Sequence, residues 1–323
     1  MPNAVRINPL IGLPLAVLAG TAIPAQARVN GALGQRLDDG LAAALVSFTV
    51  GLVVMILISA LLPRGRAGAA QLLPALRERR FPRYYVLAGA IGGYFVLSQT
   101  LTIGLLGVAV FTVAAVAGQT LTGLVVDRLG IGPAGKKALT VMRVVGAVLT
   151  IAAVAWAVSP KLSGASDVSE LLLPVLLPLT AGMLMSFQQA MNGTTGMHYG
   201  TPITSTLVNF IAGTVVLALV WGVKLAVSGF GEPLPGEWYL YLGGPLGCIF
   251  IGVGALLVRS LGVLLTSLGM IAGQLIGSLV LDIVLPAPGS VVVAATVLGT
   301  GLTLVAIVVA TLPWNMPGLL RRR

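Results

Sequence analysis

The 323 residues are 57% hydrophobic and only 9% charged, with a mean hydropathy of +1.02 and a formal charge of +10. Soluble domains carry roughly 25% charged residues, so an ordinary water-soluble fold is excluded. A basic excess points to nucleic acid when it forms one hydrophilic face, but here the cations fall in gaps between apolar runs, which excludes that partner class.

The apolar runs are about as long as the roughly 20 residues a helix needs to cross a bilayer, and they lack the polar–apolar alternation of barrel strands. The first predicted span is 9–28. Arg6 and the Ala25-Gln26-Ala27 triplet make it imitate a signal peptide, but an internal copy of the segment argues that it is retained. Span two, 40–62, is followed by the basic stretch Pro63–Arg83, a solvated loop or a segment lying on anionic headgroups. Spans three to five are 84–103, 107–127 and 139–158. A shorter polar segment near Ser159–Glu170 leads to spans six to ten at 171–190, 202–224, 238–257, 263–284 and 290–312. Tyr84, Tyr85, Trp238, Tyr239 and Tyr241 stand where spans begin, as interfacial anchors do.

The chain is duplicated. Residues 19–57 align without a gap on 181–219, so that Gln26, Asn30, Gly34, Phe48 and Gly51 face Gln188, Asn192, Gly196, Phe210 and Gly213. A second block pairs Gly107, Gly118, Gln119 and Asp127 with Gly262, Gly273, Gln274 and Asp282. The expected fold is an all-α integral membrane protein of about ten transmembrane helices, in two five-helix repeats covering 1–160 and 161–323. An odd number of helices per repeat makes the second enter the membrane from the opposite side. Basic residues then divide 15 against 4, with Arg28, Arg36, Lys161 and Lys224 as the minority. By the positive-inside rule both termini are cytoplasmic. Inverted repeats recur in secondary transporters, where two similar halves expose a central site to each side in turn.

Gln26-x-x-x-Asn30-Gly31-x-x-Gly34, then Ser47-Phe48-x-x-Gly51, Gly118-Gln119 and Asp127-x-x-Gly130, resembles the YdcZ-type branch of the drug/metabolite transporter superfamily. The resemblance covers both halves and implies a fused two-repeat, exporter-like inner-membrane protein without specifying a substrate. The second half departs from the pattern at Asn209, which replaces Ser47, and at Ile283-Val284-Leu285, which replaces a glycine turn.

Gln26 and Asn30 are four apart on one helical face, as are Gln188 and Asn192, and Pro24 is placed to open the helix near the first pair. With Asn209, they are candidates to line a substrate pathway; the alternative is that they hydrogen-bond neighbouring helices. Gln119 and Gln274 either contact substrate or, the favoured expectation, bridge helices. Asp127 and Asp282 are candidate coupling or gating groups, with Arg28 close enough in depth to partner Asp282. Inverted topology suggests crossed gates: Gln26 and Asn30 with Asp282, and Gln188 and Asn192 with Asp127.

The expected partners are a small-molecule substrate and the bilayer, with a homodimer left open. No cofactor is implied. The sequence has one histidine, His198, and one cysteine, Cys248, too few for a His/Cys zinc site, and it lacks a phosphate-binding loop for ATP. An intramembrane enzyme and a non-transporting scaffold or receptor are the rival classes.

Overall fold

A computed structural model describes residues 8–132, 135–136, 140–164, 168–261, 263–286 and 293–311. Arg6, Lys137 and the terminal Arg321, Arg322 and Arg323 lie outside the described residues, as do the side chains of Arg143, Lys161 and Arg259. The α-helices are α1 (Pro9–Gly20), α2 (Ala22–Leu37), α3 (Gly40–Leu61), α4 (Pro63–Ala70), α5 (Leu72–Arg77), α6 (Ala88–Leu106), α7 (Val108–Leu129), α8 (Val141–Gly164), α9 (Val168–Tyr199), α10 (Pro202–Ser228), α11 (Gly243–Leu261), α12 (Val263–Val284) and α13 (Ala294–Thr311). Among the described residues, seven helical spans are long and apolar enough to cross a membrane and three shorter apolar helices accompany them. These ten occupy the ten predicted spans. Large apolar side chains stand exposed along their outer faces, including Leu18, Val148 and Leu219, as expected where the surrounding solvent is hydrocarbon.

Two predicted boundaries were too short. The first span continues from α1 through Thr21 into α2 and ends at Leu37, not at residue 28. The sixth continues to Tyr199 instead of ending at 190. In both, hydropathy falls where amide side chains turn toward other helices, although backbone hydrogen bonding goes on.

The packing repeats itself through small residues. A Cβ on Gly20 would lie 2.1 Å from the Met270 carbonyl oxygen, and one on Gly273 1.9 Å from that of Val17, so α1 and α12 touch backbone to backbone. The equivalent pair behaves alike: Gly182 meets the Ala115 carbonyl at 2.0 Å and Gly118 that of Leu179 at 2.0 Å, joining α7 to α9. Such close approach gains dispersion contacts that lipid cannot offer. α3 and α10 meet through Phe48 and Phe210, whose ring centroids are 5.2 Å apart, and each ring fills the space over the other's glycine, Gly213 and Gly51.

The helix ends fall into two groups. At one end, Asp39 meets Trp221 and Lys224, Arg36 meets Glu237, and Arg28 meets the carbonyls after α12. At the other, Gly68 lies against Thr201 and Thr204, Phe81 packs on Tyr199, and Thr194 reaches Ile131. The turns α2–α3 and α6–α7 belong to the first group, and the turn α9–α10 to the second.

Candidate functional site

Gln188 and Asn192 lie on one face of α9, and Asn209 faces them from α10. Asn209 Oδ1 accepts hydrogen bonds from Gln188 Nε2 at 2.8 Å and Asn192 Nδ2 at 3.1 Å. Two donors on one carbonyl oxygen leave Gln188 Oε1, Asn192 Oδ1 and Asn209 Nδ2 to serve another partner. The Asn192 backbone is held in turn, its carbonyl accepting from Ser205 at 2.8 Å. Gln188 lies over Gly92 of α6, where a Cβ would be 2.6 Å from Nε2.

This triad borders a cavity of about 460 Å³ between the halves, within the size range of small-molecule sites. Gln26, Gln119, Gln188, Asn192, Asn209 and Gln274 all line it. It runs from Gln26 and Ser47 past Phe48 and Phe210 to Pro202 at the start of α10 and to Thr266 and Ser267 near the start of α12. Gln119 and Gln274, expected first as bridges between helices, both border the cavity, and the Gln119 carbonyl joins α7 to α9 by accepting from Ser186 at 2.8 Å.

The first half is arranged differently. Gln26 lies beside Gly247, much as Gln188 lies beside Gly92. Asn30, however, is fully buried and donates to Gln99 Oε1 at 2.7 Å. A Cβ on Gly243 would lie 2.0 Å from Asn30 Oδ1 and 2.6 Å from Ser47 Oγ, so α11 packs closely over both, and Asn30 is shut away from the cavity. Asn30 is the one pathway candidate that does not border the cavity.

The charged candidates lie away from it. Asp282 is 5% exposed and takes the N-terminus of α7: its two carboxylate oxygens accept from Val108 N at 3.0 Å and Ala109 N at 2.8 Å. Gly107 makes this possible, with φ 79° and ψ 165°, a conformation almost reserved for glycine. A carboxylate there pairs two orphan N–H groups and faces the positive end of the helix dipole. Arg28 donates to the carbonyls of Leu285 at 3.2 Å and Pro286 at 3.1 Å. Asp127 lies near the end of α7, outside the cavity lining. The crossed gates are therefore not what the hydrogen bonds build: Asn30 turns to Gln99, and Gln188 and Asn192 turn to Asn209. The physical reason is that an amide finds an amide within reach, while the carboxylate is worth more against a helix N-terminus.

Asp39 adds a closure that the sequence reading missed. Its Oδ1 caps α3 by accepting from Leu41 N and Ala42 N, while its Oδ2 accepts from Lys224 Nζ at 2.6 Å and Trp221 Nε1 at 3.3 Å. Burial pushes this carboxyl up, but the hydrogen bond and charge of Lys224 with the Ala42 and Trp221 donors outweigh it and hold it below the usual carboxylate range. Gln99 was missed too, although it is the one amide in the third predicted span. Phe48 and Phe210 were noticed as repeat partners, and Phe48 as part of the family motif, but not as cavity-lining residues.

The model of the family described as "Putative inner membrane exporter, YdcZ" matches residues 11–156 and 173–309. The two segments divide between the halves and together cover most of the chain. The chain belongs to the YdcZ family. It is thus a membrane protein of an exporter family, and its two matched segments agree with a two-repeat YdcZ form. No curated protein matches the chain.

Proposed function

We propose that the chain is a secondary-active exporter of a small molecule, working by alternating access in the bacterial inner membrane with both termini cytoplasmic. The observation that carries this reading is the cavity between the halves, bordered by equivalent amides from each: Gln26 with Gln188, and Gln119 with Gln274. A scaffold has no need of a pore-sized space with paired polar groups in it. The two halves stand in opposite orientation, Gln26, Gln188, Asn192, Asn209, Gln119 and Gln274 form the pathway, and Asn30, which does not border the cavity here, joins it when the first half opens.

In the charge-based topology the cavity extends toward the cytoplasmic ends of α9–α12, and the periplasmic ends of α2, α3, α6 and α7 are closed. Asp282 and Arg28 then belong to the periplasmic closure. Proton coupling through Asp282 would require it to leave the α7 N-terminus during the cycle. Reconstitution in liposomes with pooled metabolites tests the reading. Saturable flux that falls in Asn209→Ala supports it, and absence of protein-dependent flux in every pool counts against it.

A further inference from the structure

The cavity's chemistry is lopsided in a way that restricts its ligand. None of its described lining residues is Asp, Glu, Lys, Arg or His. The carboxylates nearest to consideration are committed elsewhere, Asp282 to the α7 N-terminus and Asp39 to Lys224. An ion entering this space would lose its hydration shell and find no counter-charge. Phenylalanine faces attract cations, but that attraction is weaker than a counter-charge, and Phe48 and Phe210 pack on each other with rings tilted by 46°.

The polar groups narrow the class further. Around Asn209 the free positions are mixed: Gln188 Oε1 and Asn192 Oδ1 accept, and Asn209 Nδ2 donates. A carboxylate would leave the acceptors facing its own negative charge, and an ammonium would leave the donor unserved. A neutral group that both donates and accepts satisfies both kinds at once. Beside them Phe48, Phe95, Phe210 and Phe250 present an apolar wall, suited to a flat hydrocarbon body.

We infer that the cavity binds an uncharged amphipathic molecule carrying a carboxamide-like donor–acceptor group on an aromatic or similarly flat apolar body. This rests on the proposed use of the cavity as the transport site. Its test compares naphthamide, naphthoate and naphthylmethylammonium, three probes with one ring system and three charge states. Binding to the purified protein in nanodiscs is measured by calorimetry, with empty nanodiscs subtracted. Naphthamide is expected to bind at least about tenfold more tightly than either ion, and Asn209→Leu to weaken naphthamide alone. Gln188→Glu supplies the missing counter-charge and is expected to strengthen naphthylmethylammonium binding by about tenfold over the wild type. That gain cannot come from misfolding. Equal or tighter binding of either ion to the wild type, or no saturable binding of naphthamide, overturns the inference. Liposome flux separates this from the transport reading. The expected binding order without flux sinks transport and leaves the ligand class standing, whereas flux of an ion and not the amide sinks the class and leaves transport standing.

Discussion

The α2–α3 end of the first half and the α9–α10 end of the second are equivalent in sequence and different in burial. At the second, Gln189 is exposed and Asn192 half-buried, and both border the cavity. Their counterparts Ala27 and Asn30 are fully buried. Asp39 and Thr201 are likewise equivalent, and each caps the helix that follows it. Asp39 also ties down α10 through Lys224 and Trp221. Thr201 is a hydroxyl with no charge to offer. One hairpin is thus tied down by an ion pair and the equivalent one is not, a difference that the proposed alternating access would use.

The comparison breaks most severely at the helix contacts both halves share. Gly118→Leu and Gly273→Leu should each cost about 3 kcal/mol or more through overpacking against backbone, seen as a large fall in thermal midpoint. Gly222→Ala, with open space around it, should change little. Unequal losses at the two equivalent glycines would weaken the claim that the halves pack alike. At the next level, Asn209→Ala should reduce transport about tenfold, by removing the acceptor that orients both Gln188 and Asn192. Ser47→Ala, at the equivalent position of the closed half, should reduce it less.

Asp282→Asn sharpens the closed end. It replaces one acceptor by an NH₂ group facing a backbone N–H, at a cost of about 2 kcal/mol, and should loosen the α6–α7 turn toward labelling reagents and hydrogen exchange. Asp39→Asn should cost less, about 1 kcal/mol, because Lys224 is 31% exposed and solvent screens the pair. Its signature is a pH dependence. With the folded carboxyl held below its ordinary value, the stabilisation is fully present above the unfolded value of about 3.9. It is lost as pH falls through the lowered folded value. Acid unfolding of the wild type should therefore be steeper than that of Asp39→Asn, and parallel curves would remove the ion pair from the closure.

Much of this site was legible because an amide in an apolar span is conspicuous and the duplication displays it twice. That logic singled out Gln26, Gln188, Asn192, Asn209, Gln119 and Gln274, all of which border the cavity. It failed for Asp282, whose partners are backbone N–H groups 173 and 174 residues away; backbone donors carry no mark in a sequence. It failed for Asp39 and Lys224 because their contact joins the α2–α3 turn to the last turns of α10, which only the packed bundle brings together. It also shortened the first and sixth spans, since hydropathy cannot distinguish a helix that ends from one whose polar face has turned inward.

The central claim is that equivalent ends open in alternation, and single-cysteine labelling tests it most directly. With Cys248 replaced by serine, Gln189→Cys and Ala27→Cys report on the two equivalent positions in oriented vesicles, using a membrane-impermeant thiol reagent. At rest, Gln189→Cys should label from the cytoplasmic side and Ala27→Cys should be protected. During turnover, Ala27→Cys should become reactive from the periplasmic side as Gln189→Cys loses reactivity. Ala27→Cys that stays protected throughout turnover, or that labels from the same side as Gln189→Cys, would contradict the account.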